Sequence, residues 1–304
     1  MKDVIIIAGP TGVGKTKLSI QLAKELNTEI ISCDSMQIYK GLDIGTGKIK
    51  TEEMQGIKHY MLDVVEPSEN YSVQEYKNEA VKLIEQIHSK KLIPIIVGGT
   101  GLYIDSLTHN FDFANVKPDY NLRNELEQLY TENPNKLLEM VHNIDPNQYK
   151  DLTVKDKKKL IRAYEVFEKS GKLIDYSRVD KNSEYNYHLF VLTDNREVLY
   201  ERINNRVDQM IKEGLVEEVK SILHNGVTQV SQSMKAIGYK EVIEYLNGEI
   251  NYDEMISSIK QNSRRYAKRQ LTWFRRNEYS NWISLEDYSF DEIKNIILES
   301  IKKL

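Results

Sequence analysis

GPTGVGKT occupies residues 9–16, directly after the apolar run VIIIA at 4–8 and directly before a stretch where Leu18, Leu22, Ala23 and Leu26 recur at helical spacing. The β-branched run predicts a central parallel strand, and the leucines predict a helix packed on it. Between them Gly9, Pro10, Thr11, Gly12, Val13, Gly14, Lys15 and Thr16 fit the pattern G-x-x-x-x-G-K-T. The glycines let backbone N–H groups turn inward around a phosphate, and Lys15 adds a point charge. The Thr16 hydroxyl can ligate Mg²⁺, and the helix that follows offers its positive end. The stretch is therefore a polyphosphate-binding loop. A nucleoside triphosphate is its default ligand, and the loop by itself says nothing about the reaction.

Working outward, EIISC at 29–33 and LIPIIVGG at 92–99 read as two more buried strands, and Ser72 with Glu75 forms a capping-box signature for a helix reaching about His88. Strands alternating with helices imply right-handed βαβ units and a parallel sheet. The fold class is α/β, a P-loop NTPase-like core with a parallel sheet flanked by helices. From about residue 114 buried-strand runs stop until YHLFVL at 187–192, and charged helical segments at 119–132, 134–143 and 155–170 intervene. The expected organisation is a core in two parts, 1–114 and 187–304, interrupted by a helical insertion at 115–186. The second part carries helices at 195–212, 214–224, 235–246 and 252–276, an edge strand at 281–285 and a last helix.

The 304 residues suffice for a sizeable core, and 40% hydrophobic with 29% charged residues is ordinary for a globular protein. No apolar run approaches the roughly 20 residues that span a bilayer. One cysteine, Cys33, rules out an intrachain disulfide and a cysteine-based zinc site. A cytoplasmic, monomeric protein is the default expectation. The net charge of -4 does not suggest a nucleic-acid binder, but local basic patches count for more than the sum.

Four features carry candidate chemistry. Asp34 ends the second strand and opens DSMQ, residues Asp34, Ser35, Met36 and Gln37. At the carboxyl end of a parallel strand it can act as a general base, hold a metal through water, or cap a helix. GGTGLY at 98–103 allows close backbone approach to a ligand, with Thr100 either a hydroxyl donor or a helix cap. Arg202 and Arg206 share a helix face and can reach a phosphate or simply face solvent. RRYAKRQLTWFRR at 264–276 contains no acid, places Arg264, Lys268 and Arg269 outside a stripe of Ala267, Leu271 and Phe274, and interleaves Tyr266 and Trp273. That pattern suggests a surface tracking a nucleic-acid backbone. KDKKKLIR at 155–162 is a second basic cluster.

These residues resemble the tRNA dimethylallyltransferases, also called tRNA isopentenyltransferases, of the bacterial type. The motifs are GPTGVGKT at 9–16, DSMQIYKGLDIGTGK at 34–48, GGTGLYI at 98–104, IRAYEV at 161–166, RVDQMIKEGLVEEV at 206–219, KAIGYKE at 235–241 and YAKRQLTWFR at 266–275. The resemblance implies transfer of a dimethylallyl group from dimethylallyl diphosphate to the exocyclic amine of the adenosine 3′ of the anticodon, in tRNAs reading codons that begin with U. It implies that the phosphate loop takes the donor's diphosphate rather than a triphosphate. Asp34 becomes the general base, Thr16 the Mg²⁺ and diphosphate ligand, and Arg206 the arginine on the leaving diphosphate. Thr100, Arg123, the stretch 34–37, and Lys158, Lys159 and Arg162 match tRNA-contact positions, joined by Lys235 and the basic residues Arg264, Lys268 and Arg269. The chain departs from the family where Lys158 and Lys159 replace a second arginine, and it has Lys235 before GYKE. Lysine keeps the charge and loses bidentate geometry. The competing readings are a small-molecule kinase, an adenylate isopentenyltransferase, and a non-catalytic RNA-binding module with no use for Asp34.

Overall fold

The computed structural model describes residues 2–110, 116–174 and 184–302. In chain order the elements are β1 Lys2–Ala8, α1 Lys15–Glu25, β2 Ile30–Cys33, β3 His59–Tyr60, α2 Val73–Ser89, β4 Ile95–Gly98 and α3 Gly101–Thr108. Then come α4 Tyr120–Glu132, α5 Pro134–Ile144, α6 Lys157–Ser170, β5 Tyr185–Thr193, α7 Arg196–Glu213 and α8 Leu215–His224. The chain ends with α9 Tyr239–Leu246, α10 Tyr252–Phe274, β6 Asn281–Ser284 and α11 Phe290–Lys302.

Chain contacts divide these elements into two units, Met1–Thr108 with Asn182–Leu304, and His109–Lys181. The expected junction at 114/115 lies outside the described residues.

In the larger unit the six strands form one parallel sheet in the order β3-β2-β4-β1-β5-β6. The β-branched run of β1 is buried on both faces, as a central parallel strand requires. Val4, Ile6 and Ala8 pack on one side with Tyr76, Ala80 and Ile84 of α2 and Ile104 of α3. Ile5 and Ile7 pack on the other with Leu18 and Leu22 of α1 and Ile293 and Ile297 of α11. This is the two-residue period of a strand read directly as two cores.

Several boundaries differ from the periodicity. β4 starts at Ile95 rather than 92 because Pro94 has no N–H to give the ladder. The helix expected at 235–246 starts at Tyr239: Gly238 at φ 96 breaks the chain, and Ser233–Lys235 is a separate 3-10 turn. The capping box of Ser72 and Glu75 is present with both hydrogen bonds. β3, two residues long, has no sequence signal.

In the smaller unit, α4, α5 and α6 enclose Leu126, Leu137, Val141, Tyr149 and Leu160. Glu165 of α6 is a fully buried charge inside it. Its carboxylate takes Arg123 Nε and Nη2 at 2.8 Å each, Arg162 Nη1 at 2.6 Å and the Asp119 N–H at 2.7 Å. Burial alone pushes the Glu165 carboxyl up, but the hydrogen bonds from Arg123 and Arg162 outweigh it and hold it below the usual range.

Candidate active site

The sheet's register sets the site. Ala8 pairs with Gly98, and Gly98 with Cys33, so the next residues, Gly9, Gly99 and Asp34, leave three neighbouring strands at one level. All strands run the same way, so the phosphate loop, DSMQ and GGTG gather at the carboxyl edge, where ligands of open parallel sheets bind. They line a cavity of about 680 Å³ within the larger unit.

The charges lining that cavity are lopsided. Among the described residues Lys15, Lys17, Arg202, Arg206, Lys235 and Arg269 are its basic side chains, and Asp34 is its sole carboxylate. Lys15 folds onto its own loop, donating to Gly9 O at 3.0 Å and Pro10 O at 2.8 Å. Burial pushes its ammonium down to about 8, Asp34 pulls it back in part, and Arg206 pushes it lower. Thr16 is exposed at the start of α1. Gly9, Gly12 and Gly14 all take positive φ, the conformations that let the loop curl its amides inward.

Asp34 does not cap a helix. Its Oδ1 accepts the N–H groups of Met36 at 2.9 Å and Gln37 at 3.4 Å, so it closes a turn on itself. That fixes the carboxylate at the cavity wall. The Thr100 hydroxyl does not cap α3 either. It accepts the Ser35 N–H at 3.0 Å and so ties the second glycine turn to DSMQ.

Arg206 extends across the cavity to the carbonyls of Thr46 at 3.1 Å and Gly47 at 3.4 Å. Asp208, two positions further on, pairs with Lys260 and not with Arg206. The alternative of a solvated arginine face therefore does not describe Arg206. Arg202 is bound to Asp194 at 2.6 Å. Gly47 is required for this placement: a Cβ there would fall 1.8 Å from Arg206 Nη2, and φ is +55.

The loop that receives Arg206 is held by residues not assigned from the sequence. Glu218 of α8 takes the N–H groups of Asp43, Ile44 and Gly45 at 3.0, 2.7 and 3.1 Å, and the Tyr239 hydroxyl at 2.5 Å. Lys48 is enclosed and donates to Tyr39 O, Asp43 and Asp63 at 2.8, 2.7 and 2.6 Å. Gln37 turns its amide to Ser32 and Thr46, at 3.3 Å each. No local pattern in GLVEE, residues 214–218, singles out Glu218.

Protein packs closely on the GGTG turn: Cβ atoms at Gly98, Gly99 and Gly101 would meet Cys33 O at 1.9 Å, Gln270 Nε2 at 2.1 Å and the Trp273 ring at 2.3 Å, while Gly98 and Gly99 also line the cavity. The aromatic residues of 264–276 lie beside its arginines, with Arg269 over the Tyr266 ring, and also reach inward. Tyr266 lines the cavity and hydrogen-bonds with Thr100, and Trp273 Nε1 donates to Asp105 at 2.8 Å. Arg264 is tied to Asn204 at 2.5 Å. Lys268 and Arg269 are exposed, with Arg269 at the cavity and Arg276 stacked over Trp273. The stripe of Ala267 and Phe274 is buried as expected, with Leu271 packed beside Ala267. Lys235 is exposed at the cavity, whereas Lys158 and Lys159 are exposed on α6 of the smaller unit, which also holds Arg123 and Arg162.

Among the described residues no three histidine, cysteine or carboxylate groups come together to form a closed metal cage. No helix there is long and apolar enough to cross a membrane.

Residues 37–277 match the family model for IPP transferase. The chain is 48% identical to a tRNA dimethylallyltransferase of Finegoldia magna, covering 99% of this chain and 98% of that one. It is 45% identical to a tRNA dimethylallyltransferase of Caldanaerobacter subterraneus subsp. tengcongensis, covering 98% and 96%. Among solved structures, the full-length tRNA isopentenylpyrophosphate transferase of Bacillus halodurans superposes with a TM-score of 0.76 at 42% identity, covering 100% and 98%. A eukaryotic dimethylallyltransferase acting on tRNA superposes with a TM-score of 0.80 at 30% identity, covering 94% of this chain and 75% of that one.

Proposed function

The chain belongs to the IPP transferase family, and from that premise we propose that it transfers the dimethylallyl group of dimethylallyl diphosphate to the exocyclic amine of the adenosine 3′ of the anticodon, in tRNAs that read codons beginning with U. The observation that carries the chemistry is the cavity in which six basic side chains surround the single carboxylate of Asp34. A polyanion fits such a wall, and Asp34 is the carboxylate placed there to take up a proton.

In the reaction a C–N bond forms between the adenine amine and the allylic carbon, and the C–O bond to diphosphate breaks. The amine is a weak nucleophile, and Asp34 accepts the proton it must lose. The departing diphosphate gathers negative charge, which Lys15, Arg206 and the amides of the phosphate loop stabilise. Thr46 and Gly47 hold the Arg206 guanidinium in place before the donor arrives. The Thr16 hydroxyl and Asp34, the latter through water, would hold Mg²⁺, which keeps most of its shell for water and phosphate oxygens and needs no closed protein cage. Bound there it would add positive charge to the diphosphate. The target base must leave its stack to reach Asp34, at a cost of a few kcal/mol. Lys235, Lys268 and Arg269, with Lys158, Lys159 and Arg162 of the smaller unit, are the cations assigned to the RNA, and Ser35, Met36, Gln37, Thr100 and Arg123 the remaining contacts.

The kinase and free-adenylate readings are set aside, because relatives matched over almost the whole chain are named for tRNA. The donor assignment is tested by competition. Inorganic diphosphate is expected to inhibit prenyl transfer competitively with dimethylallyl diphosphate, while ATP is not consumed. ATP turnover with no prenylated RNA would return the loop to its default triphosphate ligand.

A further inference from the structure

We propose that Gln270 is a positioning residue of the donor site, locking the phosphate loop to the second glycine turn and withholding the Thr11 amide from the diphosphate. The inference rests on the diphosphate reading of the cavity and goes beyond it, since nothing in that reading requires Gln270.

The side chain of Gln270 is 5% exposed, on the otherwise apolar stripe of α10. Its Oε1 accepts the Thr11 N–H at 3.0 Å, and its Nε2 donates to Gly99 O at 2.9 Å. One partner can only donate and the other can only accept, so a single orientation of the amide satisfies both. Few side chains carry a donor and an acceptor on one planar fork, and Asn, which does, is a methylene shorter. Gly99 makes the room: a Cβ there would lie 2.1 Å from Gln270 Nε2. One turn earlier on the same helix Tyr266 hydrogen-bonds with Thr100, and one turn later Trp273 donates to Asp105. The inner edge of α10 is thus a seam along the glycine turn, and Gln270 is the point where that seam reaches the phosphate loop.

Two consequences follow. The Thr11 N–H is committed within the protein, so the ligand is left with amides farther along the loop. The loop also stays open to the diphosphate because its first turn is anchored from outside, at the cost of a buried polar group that an apolar residue would avoid.

Gln270→Met removes both hydrogen bonds at similar volume, and Gly99→Ala displaces the same amide from the glycine turn, its Cβ falling 2.1 Å from Gln270 Nε2 and 3.2 Å from Gly9 O. Each is expected to weaken Mg²⁺-diphosphate binding by about ten- to hundredfold, the scale of an orphaned buried amide or carbonyl. The KM for dimethylallyl diphosphate should rise and kcat fall while the KM for RNA stays within about twofold. The double variant should be no worse than the worse single variant, because both break one linkage. Calorimetry with inorganic diphosphate and steady-state kinetics read these effects. Unchanged diphosphate binding and kcat in Gln270→Met, with only a lower melting temperature, would make Gln270 a packing residue and overturn the proposal. Additive losses in the double variant would overturn it too. Wild-type protein that binds no diphosphate would overturn the reading of the cavity itself, and this inference with it.

Discussion

At the scale of single residues, Asp34 carries the heaviest assignment. Two backbone N–H groups of its own turn hold the carboxylate, and cations surround it. Asp34→Asn keeps the size of the side chain and removes the base. Turnover is expected to fall by about 10²–10⁴-fold with RNA affinity little changed. Equal turnover in the variant, measured under single-turnover conditions, would remove Asp34 from the proton path. Lys15 gives a second expectation. Its ammonium is pushed down to about 8 in the free protein, and a bound diphosphate favours the charged form. Below that pH the lysine is already charged and donor affinity is level. Above it, binding must take up a proton, so the KM for dimethylallyl diphosphate should rise by up to about tenfold per pH unit. A flat profile from pH 7 to 9.5 at saturating RNA would contradict this. Gly47→Ala should raise the same KM by displacing Arg206, and intact donor kinetics in that variant would show that Arg206 finds another route.

At the scale of elements, α10 joins two jobs. Its inner edge fixes the glycine turn, while Lys268 and Arg269 are exposed, Arg269 at the cavity. Replacing Lys268 and Arg269 by alanine should weaken RNA binding at low salt and flatten its salt dependence by roughly 0.7–0.9 log units per charge. An unaltered slope would mean that these two charges face only water. Arg264 is expected to contribute less, because Asn204 already holds it.

This element also shows how far the sequence could be read. The phosphate loop was legible because its chemistry sits within eight consecutive residues between a strand and a helix. The strands of the core other than β3 were legible from short apolar runs, and α10 from its stripe of Ala267, Leu271 and Phe274. Gln270 was not, because its partner Thr11 is 259 positions away and no local period reports that meeting. Glu218 was equally silent, lying 173–175 positions from the amides it binds. The inward partners of Tyr266 and Trp273, Thr100 and Asp105, were silent for the same reason, lying far away in sequence.

At the scale of the whole molecule, the helical unit has its own polar centre. Arg123, Arg162 and the Asp119 amide converge on Glu165, which no water reaches. Arg123 and Arg162 therefore brace the fold of that unit, whatever else they touch. Glu165→Gln should cost about 3 kcal/mol, toward the low end for breaking a buried pair because both arginines remain partly wet. The folded carboxyl is held below its ordinary value of about 4.3. Its stabilisation is therefore complete above that value and lost as pH falls through the lower, folded one. Thermal unfolding of the full chain at falling pH should show this loss in the wild type and not in Glu165→Gln. Parallel acid sensitivity in both would place the effect elsewhere.

The central claim is that a cavity of six cations and one carboxylate moves a prenyl group onto one adenine amine of tRNA. Its most direct test is incubation of the protein with Mg²⁺, labelled dimethylallyl diphosphate and an unmodified anticodon stem-loop carrying the target adenosine. Label is expected in the RNA, and it should vanish when that single adenosine is replaced by guanosine. Label appearing in free AMP, or no transfer at all while ATP is hydrolysed, would contradict the account.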